Sequence, residues 1–98
     1  MNVRFKTKDC ERLEHDARFF GGFAADVVRA YRSRVHFIRQ AQDERDFYVM
    51  KSFKFEKLKG GRDGQSSIRL NDQWRLILEL EGNAPDKVVV VIGIEDYH

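Results

Sequence analysis

Asp96, Tyr97 and His98 follow directly on the apolar run VVVVIGI, so a stretch patterned as a buried strand delivers three proton-handling groups at its tip. Further cations stand where strand alternation would turn them towards the same place. In QWRLILELE, Trp74, Leu76, Leu78 and Leu80 share one phase, and Arg75, Ile77, Glu79 and Glu81 the other. If the leucine face packs inward, Arg75 projects from the open face, where it either meets a ligand or pairs with a carboxylate such as Glu79. Arg69 has the same phase relative to Ile68 and Leu70, and Lys59 enters from the loop before this hairpin. Lysine, arginine, tyrosine and histidine together suit in-line cleavage of RNA. There the ribose 2′-OH loses a proton, the phosphate gathers negative charge, and the leaving 5′-oxygen gains a proton. Imidazole titrates near about pH 6.5, so His98 would act at neutral pH, whereas a phenol or ammonium base needs neighbouring cations to lower its pKa.

The elements that must position these groups are legible in outline. NVRFK (2–6) alternates as a short strand, and Asp9 is expected to cap a helix over 10–16. From Phe23 to Gln42, Ala24, Val27, Tyr31, Val35 and Ile38 recur every three or four residues and predict a helix of about five turns. Arg29, Arg32, His36 and Arg39 form a neighbouring basic stripe, either a solvated face or a surface for RNA or an acidic protein. Asp43 and Asp46 open a short helix over 44–51, with Phe47 and either Met50 or Tyr48 turned inward. Gly60-Gly61 and Asp63-Gly64 mark a loop, and Asn71-Asp72 a hairpin turn. The final strand, Lys87 to about Ile94, is apolar on both faces and so central in its sheet. The sum is an α+β domain spanning 1–98, with N-terminal helices packed on one face of a small antiparallel sheet.

Bulk properties narrow the function classes. With 42% hydrophobic and 35% charged residues among 98, the chain has a globular composition. Its longest apolar run, VVVVI, is far short of the roughly 20 residues that span a bilayer, so a cytoplasmic protein with no membrane partner is expected. One cysteine, Cys10, permits no internal disulfide, and the three histidines lack metal-ligand spacing, so neither a metal nor a cofactor is expected. Residues 51–75 hold seven Lys/Arg against three acids, and 76–98 one Lys against five acids. Such a basic middle invites a polyanionic partner.

FEKLKGGRDGQSSIRLNDQWRLILELE, a valine-rich strand and a terminal EDYH together resemble the RelE/ParE superfamily of bacterial type II toxins, specifically its HigB branch. The motifs LKG, R-x-G, SIR, QWR and DYH cover roughly the last 45 residues; the N-terminal half is similar only in its helical layout. The resemblance implies helices on an antiparallel sheet and an endoribonuclease that cleaves mRNA in the ribosomal A site, inhibiting translation. It implies that Lys59 and Arg75 hold the scissile phosphate, that His98 and Tyr97 transfer protons or orient the nucleotide, and that Asp96 positions them. Lys57, Arg62 and Arg69 are the expected RNA-binding cations. Some members carry a histidine where this chain has Glu56, so either Glu56 serves as base or His98 carries more of that work. The resemblance also implies a cognate helix-turn-helix antitoxin (HigA-like), with DNA reached only through it. Two other readings stand beside this one: a ParE-like inhibitor of DNA gyrase, and a non-catalytic module gripping RNA or an acidic protein through Arg29, Arg32, Arg39 and the loop cations.

Overall fold

Leu76 and Leu78 on one strand, and Val89 and Val91 on its neighbour, make the floor on which the helices rest, all four fully buried. The computed structural model describes residues 1–83 and 85–97. In chain order it runs β1 (Asn2–Phe5), α1 (Lys8–His15), α2 (Ala25–Gln40), α3 (Arg45–Val49), a 3-10 turn (Lys51–Phe53), β2 (Glu56–Lys57), β3 (Gln65–Arg69), β4 (Trp74–Glu81) and β5 (Val88–Asp96). The strands lie in the order β1-β5-β4-β3-β2. The α+β architecture is as expected, with one correction: β1 pairs parallel with β5, so the sheet is mixed rather than antiparallel. The helices between β1 and the remaining strands supply the crossover that a parallel pair requires. This also places β5 inside the sheet, as its two apolar faces predict.

Local chemistry explains the helix boundaries. α1 begins earlier than predicted because Thr7, not Asp9, is its cap: the Thr7 hydroxyl accepts from the Cys10 N–H at 3.2 Å, leaving Asp9 in the first turn where its charge suits the helix dipole. α2 buries Val27, Tyr31, Val35 and Ile38, with Val28 added to the stripe. Its basic stripe is partly consumed by the fold. Arg32 donates to the carbonyls of Leu13, Asp16 and Phe19, tying down the end of α1, and Arg39 forms a two-pronged pair with Glu14 at 2.7 Å. Arg29 and His36 stay exposed.

α3 is a single turn, and only one residue can face the core. Phe47 takes that position between Phe37 and Phe55, with ring centroids 6.4 and 5.2 Å away. Tyr48, expected inward as the alternative to Met50, is instead exposed and lies edge-on to Phe55; Met50 is exposed as well, past the end of the helix. Among the described residues no helix is long and apolar enough to cross a membrane.

Tyr31 ties α2 to α1. Its ring is fully buried and its hydroxyl donates to the Cys10 carbonyl at 2.7 Å; burial pushes its pKa well above the usual phenol value, so it stays a neutral donor. Tyr31→Phe is expected to lower stability by about 1 kcal/mol, the net worth of one such bond. The measurement is the urea midpoint at unchanged slope. An unmoved midpoint would mean that the Cys10 carbonyl is satisfied within α1 alone.

Candidate active site

The face of the sheet away from the helices collects the groups that could do chemistry, and a break in strand register decides which ones arrive there. β4 and β5 pair regularly from Glu81↔Val88 to Leu78↔Val91, after which Ile77 pairs with Gly93 and Ile92 is left without a partner. This is a β-bulge, and one extra residue reverses the facing of everything beyond it. Val89 and Val91 face the helices; without the bulge Glu95 would share their phase. With it, Glu95 stands directly opposite Arg75 on the open face. Tyr97, two residues on, comes to the same side.

On β3, Ser67 has the phase of Arg69, and β2 adds Glu56 opposite Ser67. These side chains, with Leu58, Ile77, Arg62 and Asp96, line a concave pocket of about 140 Å³. Arg75 forms its deep wall. It is only 9% exposed, and the Tyr97 ring covers its guanidinium at 4.0 Å from Cζ to the ring centroid. Two Arg75 nitrogens, Nε and Nη1, are buried with no hydrogen-bond partner among the described residues, and Ser67 Oγ is in the same condition. Of the two alternatives for Arg75, pairing with Glu79 does not occur among the described residues. A buried N–H without an acceptor is costly and rare, so donors left open in a pocket mark a place suited to an anion.

The lining carries two guanidinium groups and three carboxylates, so it is not a simple cationic trough. Two carboxylates are engaged. Glu95 accepts from Arg62 through both oxygens at 2.8 Å, a pairing that raises the Arg62 pKa further, and Asp96 Oδ2 accepts from Gln73 Nε2 at 3.0 Å. Tyr97 is anchored through its backbone, whose N–H donates to the Gln73 carbonyl at 2.6 Å. Glu56, exposed, lines the same pocket as Arg75, so a carboxylate and a buried cation border one space.

The sequence-predicted residues therefore divide. Glu56, Arg62, Arg75, Asp96 and Tyr97 are brought together. Lys59 is exposed just beyond β2, outside the pocket lining. Arg69 is opposite Arg75 in register but is tied to Asp72. Lys57 pairs with Ser66, so it takes the other face and borders a separate cleft of about 330 Å³ with Ser66 and Leu80. The expected convergence of Lys59, Arg69 and Arg75 is thus replaced by Arg75 with Arg62. His98 lies outside the described residues. Ser67 and Glu95 are pocket residues that sequence reasoning missed. The phase of Ser67 was available from Arg69, whereas that of Glu95 depends on the bulge.

Comparison with known proteins bears on the same chain from another direction. Residues 3–98 match the family model described as RelE-like toxin of type II toxin-antitoxin system HigB. Toxin HigB-1 of Vibrio cholerae serotype O1 is 30% identical over 79 residues, covering 81% of this chain and 83% of that protein. A solved structure, the YoeB/ParE toxin from Agrobacterium tumefaciens, superposes with a TM-score of 0.64 over 100% of both chains at 19% identity, which establishes likeness of fold.

Proposed function

This chain belongs to the HigB family of RelE-like toxins of type II toxin–antitoxin systems, and on that premise we propose that it is an endoribonuclease that cleaves mRNA in the ribosomal A site. The observation that carries the proposal is Arg75: a pocket-lining residue, buried and capped by Tyr97, with two nitrogens, Nε and Nη1, whose N–H no described residue accepts. A phosphodiester oxygen placed there receives charge-assisted hydrogen bonds from a donor fixed before the reaction begins, the arrangement that stabilises charge developing in a transition state. In the proposed reaction the ribose 2′-oxygen bonds to phosphorus as the P–O5′ bond breaks. The 2′-OH proton leaves to a base, and the 5′-oxygen takes up a proton. Glu56, which lines the same pocket as Arg75, is the proposed base, and His98 is the other candidate for proton transfer. Tyr97 orients the nucleotide and Asp96 holds the end of β5 through Gln73, while Lys59, outside the pocket lining, would have to extend from the loop to meet the phosphate.

As a toxin of this class the protein has a cognate antitoxin as its partner. We take that antitoxin to be a helix-turn-helix protein, through which the pair would reach DNA.

Induction in growing cells followed by mapping of new mRNA 5′ ends tests the reading. Cuts clustered at codons are expected. DNA-damage signalling without cuts would point instead to gyrase, and neither response would leave a module that binds without cleaving.

A further inference from the structure

Arg75 and Glu95 are directly opposed across β4 and β5, with both side chains on the open face. Opposite charges in that relation ordinarily pair. Here they do not. Arg75 Nε and Nη1 have no partner among the described residues, while both Glu95 oxygens accept from Arg62: Nη1 to Oε1 and Nη2 to Oε2, each at 2.8 Å. Arg62 is itself held for this task. Its Nε and Nη2 donate to Gln65 Oε1 at 3.0 and 2.8 Å, and its carbonyl accepts from the Gln65 N–H at 3.0 Å. Gly60 and Gly61, with φ of +71° and +83°, let the loop take the left-handed turns that precede it.

We propose that Arg62 is a positioning residue that draws the Glu95 carboxylate away from Arg75, keeping the Arg75 guanidinium vacant for a phosphate oxygen. This rests on the reading above, in which a phosphodiester docks at Arg75. The bulge at Ile92 brings a carboxylate within reach of the anion site, and that carboxylate mimics the ligand. Left to itself it would fill the site. A two-pronged arginine on the loop satisfies both oxygens at once and removes the competitor. Arg62 therefore works through Glu95 rather than by touching RNA.

The distinguishing experiment uses the full chain, inorganic phosphate as probe, and the Nε–H resonance of Arg75 in proton–nitrogen spectra. In the free protein, Arg62→Ala should shift that resonance to the position of a carboxylate-bonded arginine. Phosphate affinity should fall by about 10-fold or more, the scale of a lost charged hydrogen bond. Glu95→Gln added to Arg62→Ala should return the resonance to its original position and restore affinity to within about 3-fold of the parent, because a neutral amide does not compete with an anion. Glu95→Gln alone should bind phosphate more tightly than the parent. The inference is overturned if Arg62→Ala leaves the free-protein resonance where it was, or if the double variant binds no better than Arg62→Ala. That second result would make Arg62 a direct ligand contact. If the spectra behave as expected yet induced cells show no RNA cuts, the nuclease reading falls and the Arg62 assignment stands.

Discussion

Arg75→Met is expected to lower RNA cleavage by about 10²-fold or more while leaving the protein at least as stable as its parent. The two effects have one cause. Arg75 holds two buried nitrogens, Nε and Nη1, whose N–H no described residue accepts, a condition costing on the order of 1–3 kcal/mol per unsatisfied group in folded proteins. Methionine fills much of the same volume without those donors, and it stays in contact with the Tyr97 ring through sulfur. Against this relief stands the loss of the cation–π contact, about 0.5–2 kcal/mol, so the net change in stability is near zero or favourable. Cleavage behaves oppositely, because the other cation among the described lining residues, Arg62, is already paired with Glu95. Arg75→Lys should restore little, since an ammonium on a flexible stem cannot reproduce a planar fork under the Tyr97 ring. Single-turnover cleavage beside a denaturant melt measures both quantities. An Arg75→Met protein that is unfolded, or that cleaves normally, would remove Arg75 from the chemistry.

What could be read in the sequence follows from which features are periodic. The α2 stripe of Val27, Tyr31, Val35 and Ile38 and the β4 alternation of Trp74, Leu76, Leu78 and Leu80 both repeat, and both lie where they were predicted. The Asn71 turn was legible for a different reason: its side-chain oxygen accepts from the N–H groups of Gln73 and Trp74, chemistry confined to adjacent residues. Features that depend on pairing between distant segments were not. The parallel partnership of β1 with β5 leaves no mark on NVRF, and the bulge at Ile92 is invisible in VVVVIGIED because it exists only relative to β4. The candidate site inherits this limit. Arg75 follows from local alternation and Glu95 needs the bulge; Lys57, expected beside Arg62 as an RNA-binding cation, is turned to the other face by strand pairing. Tyr48 and Met50 mislead for a related reason, since a helix of one turn has too little length for a stripe and Phe47 alone decides its facing.

Leu76→Ala is expected to cost about 2–5 kcal/mol, a large share of the roughly 5–15 kcal/mol that holds a domain of this size together. Leu76 is fully buried on the helix side of β4, opposite Ile94 on one neighbour and Ile68 on the other, and the rigid pairing on both sides prevents the sheet from closing over the void. The thermal midpoint should drop by about 10 °C or more. Cleavage per folded molecule should not change, because the pocket is built from the opposite face and its register is set by backbone pairing that alanine preserves. Residues 75 and 76 are neighbours in one strand, so a disturbance of β4 as a whole would affect them alike. The expected results instead separate completely: one substitution removes activity and spares stability, the other removes stability and spares the activity of whatever remains folded. Cleavage normalised to the folded fraction makes the comparison. If Leu76→Ala loses activity beyond its unfolded fraction, the two faces of the sheet are coupled, and the pocket depends on the core beneath it rather than on strand register alone.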